Sequence, residues 1–238
     1  MTQLNNQLHT ILDHINLAEQ KAERMPNSVQ LLAVSKTQPA DVIRQAAEAG
    51  QRYFGENYLQ EALIKINSLV DLQLVWHFIG PIQSNKTKDI AANFDWVQTV
   101  DRLKIAQRLD NQRPSSRGKL NICIQVNIDN ESTKSGIAAS ELFELAEEIS
   151  QLNNLLLRGL MIIPTHTDDP QQQQHSFQQA QLLYKQLAEI YPSVDTLSMG
   201  MSGDMAMAIA EGSTMVRIGT ALFGIRHTTD LHHPSDNK

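Results

Sequence analysis

A chain of 238 residues, 41% of them hydrophobic, is long enough to bury a sizeable core, as one large α/β domain or as two small ones. The formal charge of −6 without any basic run argues against sequence-independent nucleic-acid binding, and a single cysteine, Cys123, excludes an internal disulfide framework and fits a reducing compartment. The opening Met1-Thr2-Gln3-Leu4-Asn5-Asn6 lacks the basic and apolar regions of a secretory signal, and the apolar run Leu155 to Ile163 is short and interrupted by Arg158, so a soluble cytoplasmic protein without a membrane span is expected.

Leu4, Leu8, Ile11, Leu12, Ile15 and Ala18 recur at three- and four-residue spacing, which predicts an amphipathic helix over about 4 to 24, ended by Met25-Pro26-Asn27-Ser28. A first strand follows at 30 to 35, and Pro39 stands where it can open a helix that runs to the Gly50 stop. Tyr53-Phe54 reads as a short strand, Gly55-Glu56-Asn57-Tyr58 turns into a third helix, and 72 to 79 reads as a strand ending at Gly80-Pro81. Next come a helix over about 83 to 92, a strand at 96 to 100, and a helix from 101 to 109 with Asp101 as its expected N-cap. Past the polar loop 111 to 118, a β-rich run at 121 to 128 leads through a second polar loop, 129 to 136, to a helix from Ser140 whose first turn carries Glu141 and Glu144. The rhythm closes with a strand at 156 to 163, a helix through the glutamine-rich stretch to 190, a strand at 196 to 199, a short helix over 204 to 211, a strand at 215 to 218 and a closing segment near 220 to 223. Phe177, Ala180, Leu183, Leu187 and Ile190 keep helical spacing, so the glutamines belong to a helix and not to a linker.

About eight strands, each but the last followed by a helix, in a chain near the ~250 residues usual for the architecture, predict an α/β fold: a single (β/α)8 TIM-type barrel with an extra N-terminal helix. It is expected to occupy residues 1–226, with 227–238 as a flexible C-terminal tail. An open doubly wound sheet has the same alternation and is the alternative, because periodicity does not establish closure.

Chemistry in such a barrel belongs at the carboxyl ends of the strands, and Ala33-Val34-Ser35-Lys36 places a lysine there. Poor solvation after an apolar run favours the neutral amine, the form that attacks a carbonyl, although a lone lysine at a sheet edge can equally carry its charge out to water. After the seventh strand, Ser198-Met199-Gly200-Met201-Ser202-Gly203-Asp204 enters a helix through small residues, so that backbone N–H groups and the Ser202 hydroxyl can approach an oxyanion. Val216-Arg217-Ile218-Gly219-Thr220 ends the eighth strand with another glycine and hydroxyl, where barrels of this type often bind phosphate. Plain turns and a structural ion pair at Arg217 are the alternative reading of these pieces. An amine facing an oxyanion cradle fits two ligand classes, a sugar phosphate in a Schiff-base aldolase or pyridoxal 5'-phosphate (PLP) held as an imine.

Ala33-Val34-Ser35-Lys36, Phe54-Gly55-Glu56-Asn57-Tyr58-Leu59-Gln60-Glu61, Trp76-His77-Phe78-Ile79-Gly80, Gln83-Ser84-Asn85-Lys86, Lys134-Ser135-Gly136, Leu197 to Ser202 and Val216 to Thr220 together carry a resemblance. Over Leu31 to Gly224 the chain resembles the pyridoxal phosphate homeostasis protein family, whose single barrel is similar to the amino-terminal domain of alanine racemase. It departs from that pattern at Pro81-Ile82, where histidine-leucine is expected.

The resemblance implies that Lys36 carries PLP as a Schiff base, that Ser202, Gly203, Gly219 and Thr220 hold its phosphate, and that Arg217 approaches the pyridine nitrogen. A guanidinium there keeps the nitrogen unprotonated and makes carbanion chemistry poor. Asn57 and His77 line the pocket in this reading, with a packed barrel histidine as the alternative for His77. Lys134 is a candidate second amine for transfer, and Lys86 could face the same mouth; for both, a solvated surface lysine is the plainer reading. Racemisation needs a second acid-base group, which the racemases supply as a tyrosine from an additional β domain, and the sequence ends soon after Gly224. Tyr53 and Tyr58 read as core or rim aromatics. The expected protein is therefore a non-catalytic, monomeric PLP carrier that meets PLP-dependent apo-enzymes transiently, with a weak amino-acid racemase as the alternative. His227, His232 and His233 read as part of the polar tail and not as metal ligands.

Overall fold

Eight short strands, all parallel, hydrogen-bond in chain order, and the last returns to the first, in a computed structural model that describes residues 3–224. They are β1 (Gln30–Val34), β2 (Tyr53–Glu56), β3 (Val75–Phe78), β4 (Trp96–Val100), β5 (Leu120–Val126), β6 (Leu155–Ile162), β7 (Thr196–Ser198) and β8 (Met215–Ile218). Closure rests on Leu31 opposite Val216 and Leu32 opposite Arg217, so the open-sheet alternative is excluded. The helices are α1 (Gln3–Lys21), α2 (Ala40–Glu48), α3 (Leu59–Ser68), α4 (Thr87–Asn93), α5 (Leu103–Gln112), α6 (Leu142–Ser150), α7 (Pro170–Ile190), α8 (Met205–Ala210) and α9 (Thr220–Phe223). The tail with its three histidines lies outside the described residues, among which no helix is long and apolar enough to cross a membrane.

Strand alternation assigns each side chain to a layer. Leu31 and Ala33 of β1 pack outward with the helices, while Leu32 turns inward beside Ile79 and Met215, with Val34 packed against them. The helices close the outer layer through apolar faces such as Ile43, Ala46 and Ala47 of α2. The predicted extra helix has a definite place. Because α9 is a single turn after β8, it cannot cover the sector between α2 and α8; α1 packs against α2, α8 and α9 and fills it with Leu4, Leu8, Ile11, Ile15 and Ala18. Buried Glu19 then fastens the chain into β1 by accepting from the N–H groups of Asn27 (3.0 Å) and Val29 (2.7 Å), and Arg24 donates to Ile209 O near the end of α8 (2.9 Å).

Two boundaries differ from the sequence reading for physical reasons. Leu72 and Leu74 are apolar and lead directly into the strand, yet their N–H groups bond back to Leu69 O and Leu72 O as a turn, so β3 starts at Val75. Asp101 does not cap α5; its carboxylate pairs with Arg102, and extended Arg102 occupies the N-cap position without a side-chain bond.

Two strand pairings carry register shifts. On β6, Ile122 faces Leu157 but Cys123 faces Gly159, so Arg158 is the extra residue of a bulge. Gly159 has φ +147°, and an added Cβ would sit 1.8 Å from Thr196 O. A second shift, between Val97 and Val100, surrounds Gln98. Gly159→Ala should lower the unfolding free energy by roughly 3 kcal/mol, through a strained φ and a backbone overlap. Urea denaturation checks this, and a loss below about 1 kcal/mol would mean that the bulge is easily remodelled.

Candidate functional site

At the carboxyl end of the barrel, partly buried Lys36 follows β1 by two residues, and its Nζ has no hydrogen bond or ion pair with another described residue. Gly219 brings the end of β8 against β1: a Cβ there would lie 3.3 Å from Val34 O. Arg217, two residues earlier on β8, is 5% exposed and forms no salt bridge with a described carboxylate. Its guanidinium donates to Ser198 Oγ (2.8 Å) and Ile162 O (2.8 Å), and its backbone N–H donates to Gly200 O (3.0 Å), tying together the ends of β6, β7 and β8. Burial lowers the Arg217 pKa to about 10, which leaves it charged at neutral pH.

A guanidinium only donates, so the direction of the buried chain behind it is fixed. Arg217 donates to Ser198 Oγ, Ser198 donates to Gln98 Oε1 (2.7 Å), and Gln98 Nε2 then faces His77 Nδ1 at 2.9 Å as the donor. His77 therefore carries its proton on Nε2, which has no partner among the described residues. The imidazole is fully enclosed and stacked on Trp96 at 5.0 Å, with the Arg158 guanidinium 4.5 Å from the Trp96 ring centroid. Burial, and then the Arg158 charge, push its pKa down to about 3. This is the packed-histidine alternative: His77 reaches Arg217 through Gln98 and Ser198.

The other predicted residues divide by position. Ser202 and Gly203 form an exposed turn ahead of α8, and their N–H groups, like those of Gly219 and Thr220 ahead of α9, have no partner among the described residues. With six and four residues, α8 and α9 add little dipole, so these free N–H groups supply the local positive potential. Asn57 follows β2 at the same end, and its Oδ1 is buried without a partner. Tyr58 is exposed there, whereas Tyr53 lines a cleft of about 240 Å³ with Gln30, Trp96 and Arg158 at the opposite, amino-terminal pole. Lys134 is engaged, donating to Pro164 O (2.7 Å) and paired with Glu131 (3.2 Å); the bonds from Thr133, Thr165 and Lys134 hold the Glu131 carboxyl down at about 2. Lys86 ends a single helical turn before α4, half-buried and without a side-chain partner among the described residues. Cys123 is enclosed in β5, and burial pushes its thiol up, away from reactivity.

Sequence reasoning missed a second buried cluster. Lys65 of α3, 4% exposed, donates to Glu56 Oε1 (2.8 Å) and Ser35 O (2.8 Å) and pairs with Glu61. Burial raises the Glu56 pKa against the lowering effect of Lys65. The available signal was Glu56 itself, a carboxylate ending a buried strand, which demands a cation nearby.

Residues 7–227 match the alanine racemase, N-terminal domain family. A pyridoxal phosphate homeostasis protein from Vibrio alginolyticus is 54% identical over 230 residues, covering 95% of this chain and 99% of that one. The chain belongs to the pyridoxal phosphate homeostasis protein family. PipY of Synechococcus elongatus, solved with PLP bound, is 37% identical, with a TM-score of 0.79 over 93% of this chain and 100% of that one. An alanine racemase from Clostridium difficile, 16% identical with a TM-score of 0.71, covers 94% of this chain and 57% of its own, and shares the barrel with this member of the homeostasis family.

The enclosed His77 gives this family member a pH signature. As pH falls through 6.5 the unfolded chain takes up a proton at His77 while the folded protein does not until about pH 3. Stability contributed by neutral His77 is thus complete above 6.5 and falls at lower pH, by about 1.4 kcal/mol per pH unit. His77→Gln should remove that slope between about pH 6.5 and 5 in denaturant titrations, and parallel curves for the two proteins would refute the enclosed neutral ring.

Proposed function

We propose that this chain is a monomeric cytoplasmic carrier of pyridoxal 5'-phosphate, which it binds through Lys36, buffers, and hands to PLP-dependent apo-enzymes in transient encounters, without robust catalysis. One observation carries the reading. Arg217, a buried cation with no described carboxylate partner, lies two residues before Gly219, which packs against Val34, two residues before the unpartnered amine of Lys36. Buried cations call for acceptors, and PLP offers a phosphate, a phenolate and a ring nitrogen. The names of the Vibrio relative and of PLP-bound PipY support the same ligand.

When bound, PLP supplies an aldehyde that condenses with a primary amine to a C=N bond, releasing one water, and hydrolysis reverses the step. Lys36 provides the amine. Ser202, Gly203, Gly219 and Thr220 direct N–H groups and hydroxyls to the phosphate, and Asn57 offers a side-chain amide beside the same mouth. Arg217 would donate toward the ring nitrogen and so withhold the proton that makes the ring a strong electron sink, while His77, Gln98 and Ser198 hold the guanidinium in place. Tyr53 faces the opposite pole, so it supplies no second acid-base group at the mouth. The exposed phosphate turn leaves water access for release, and exposed Tyr58, Ile163 and Met201 at the strand ends give a recipient enzyme small apolar contacts.

Incubation with PLP followed by gel filtration should leave an absorption band near stoichiometry in the wild type. Lys36→Ala should lose at least about tenfold of the retained PLP with unchanged thermal unfolding. A retained band in Lys36→Ala would place the attachment elsewhere, and exchange of an amino-acid α-proton at catalytic rates would replace the carrier by a racemase.

A further inference from the structure

Lys36 is free at its tip and gripped at its base. Ser35, fully buried, donates its N–H to Gly55 O (2.9 Å) and its hydroxyl to Glu56 Oε1 (2.6 Å), while its carbonyl accepts from Lys65 Nζ (2.8 Å). On the other flank, Thr37 donates its N–H to Glu61 Oε1 (2.6 Å), the same oxygen that Lys65 approaches. The three N–H donors of the Lys65 ammonium are thus matched by Ser35 O, Glu56 and Glu61. Thr37 itself is held at φ +64°, a left-handed conformation that a β-branched residue adopts only where its surroundings impose it. One helix, α3, therefore reaches over both neighbours of Lys36 and fixes the backbone from which it projects.

The geometry points to Lys65, with Glu56 and Glu61, as a positioning clamp that aims the Lys36 amine for covalent capture of PLP. None of the three touches the ligand in this reading; they act through the backbone of Ser35 and Thr37. The clamp rests on the reading of Lys36 as the attachment point. Two carboxylates around one ammonium suit the task, because the pair shares a single cation between a rigid strand end and a helix, so that a shift of either flank costs the Lys65 ammonium one of its three acceptors. A lysine left free to rotate about a loose turn would spend little time with its amine along the approach to the aldehyde, so the clamp acts on the rate of capture.

Glu61 is the residue to test first, since its side chain is 32% exposed and its removal spares the core. In ligand-free protein, Glu61→Ala should speed amide hydrogen exchange at Thr37 by at least about tenfold. Covalent capture of PLP by Lys36, followed by absorbance, should slow by at least about tenfold while thermal unfolding stays unchanged. Glu61→Gln keeps a carbonyl acceptor for the Thr37 N–H and should restore both quantities to within about twofold of wild type. Lys65→Met should reproduce the pair of defects, and Glu61→Ala decides alone if that variant does not fold. Unchanged Thr37 exchange in Glu61→Ala overturns the clamp, as does faster exchange with an unchanged capture rate. A wild-type protein that captures no PLP sinks the functional reading and the clamp with it, whereas equal capture by wild type and Glu61→Ala sinks the clamp alone.

Discussion

A positive charge that cannot be discharged, sealed in a lumen only wide enough for side chains, sets the terms for the interior of this barrel. Arg217 has five N–H donors and no acceptor, so each contact around it must be an oxygen turned toward it. Two are found, Ser198 Oγ and Ile162 O, on the strands that precede β8 in the ring. The demand then propagates: Ser198 must donate onward to Gln98, Gln98 to His77, and His77 must stay neutral. Strands β8, β7, β4 and β3 are thereby coupled by polarity as well as by backbone pairing. Among the described residues no carboxylate is hydrogen-bonded or salt-bridged to this cation.

A different arrangement governs the other half of the site. Around Lys36, Lys65 pairs with Glu56 and Glu61, and the cluster grips the flanking residues through Ser35 O, the Ser35 hydroxyl and the Thr37 N–H, leaving the amine itself without a partner among the described residues. Buried ion pairs of this kind are weak sources of stability, because desolvation offsets most of the Coulomb gain, but breaking one is costly, and that makes them good fixtures. The phosphate turn at Ser202 and Gly203 contrasts with both, being exposed and open. Rigid placement of the amine and the cation, together with an open anion turn, describes a holder whose cargo can leave.

The fold was more legible in the sequence than the site. β4 and β8 were bounded correctly because Asp95 and Asp101, and Thr214 and Gly219, stand directly beside short runs that begin and end on apolar residues, and α7 survived its glutamines because Phe177, Ala180 and Leu187 face the core at helical spacing. Leu72 and Leu74 misled because their apolar side chains continue the pattern of Val75 to Phe78, and a half-buried turn accommodates two leucines as well as a strand does. Lys36, Arg217 and the glycines after β7 and β8 stood out because each breaks a strand end in a chemically telling way. Lys65 did not: on α3 it reads as one more polar-face lysine, and its distant partners come from the end of β2 and from Ser35, the residue before Lys36. His77, Gln98 and Ser198 are polar residues scattered over three strands; which of them touch is a property of barrel closure, which periodicity does not encode.

Helix α1 bears on how the molecule comes into being. The sector it fills is bounded by α2 on one side and by α8 and α9 on the other, elements separated by most of the sequence. Until α8 and α9 have formed, α1 keeps part of its apolar stripe uncovered, because the face that receives it is completed by elements at the far end of the described chain. The ring is sealed by β8 meeting β1, segments separated by most of the described residues, and the Lys36 to Gly219 juxtaposition arises only with that closure. The neighbourhood of the Lys36 amine is in this way a product of long-range assembly and not of the local turn that carries it.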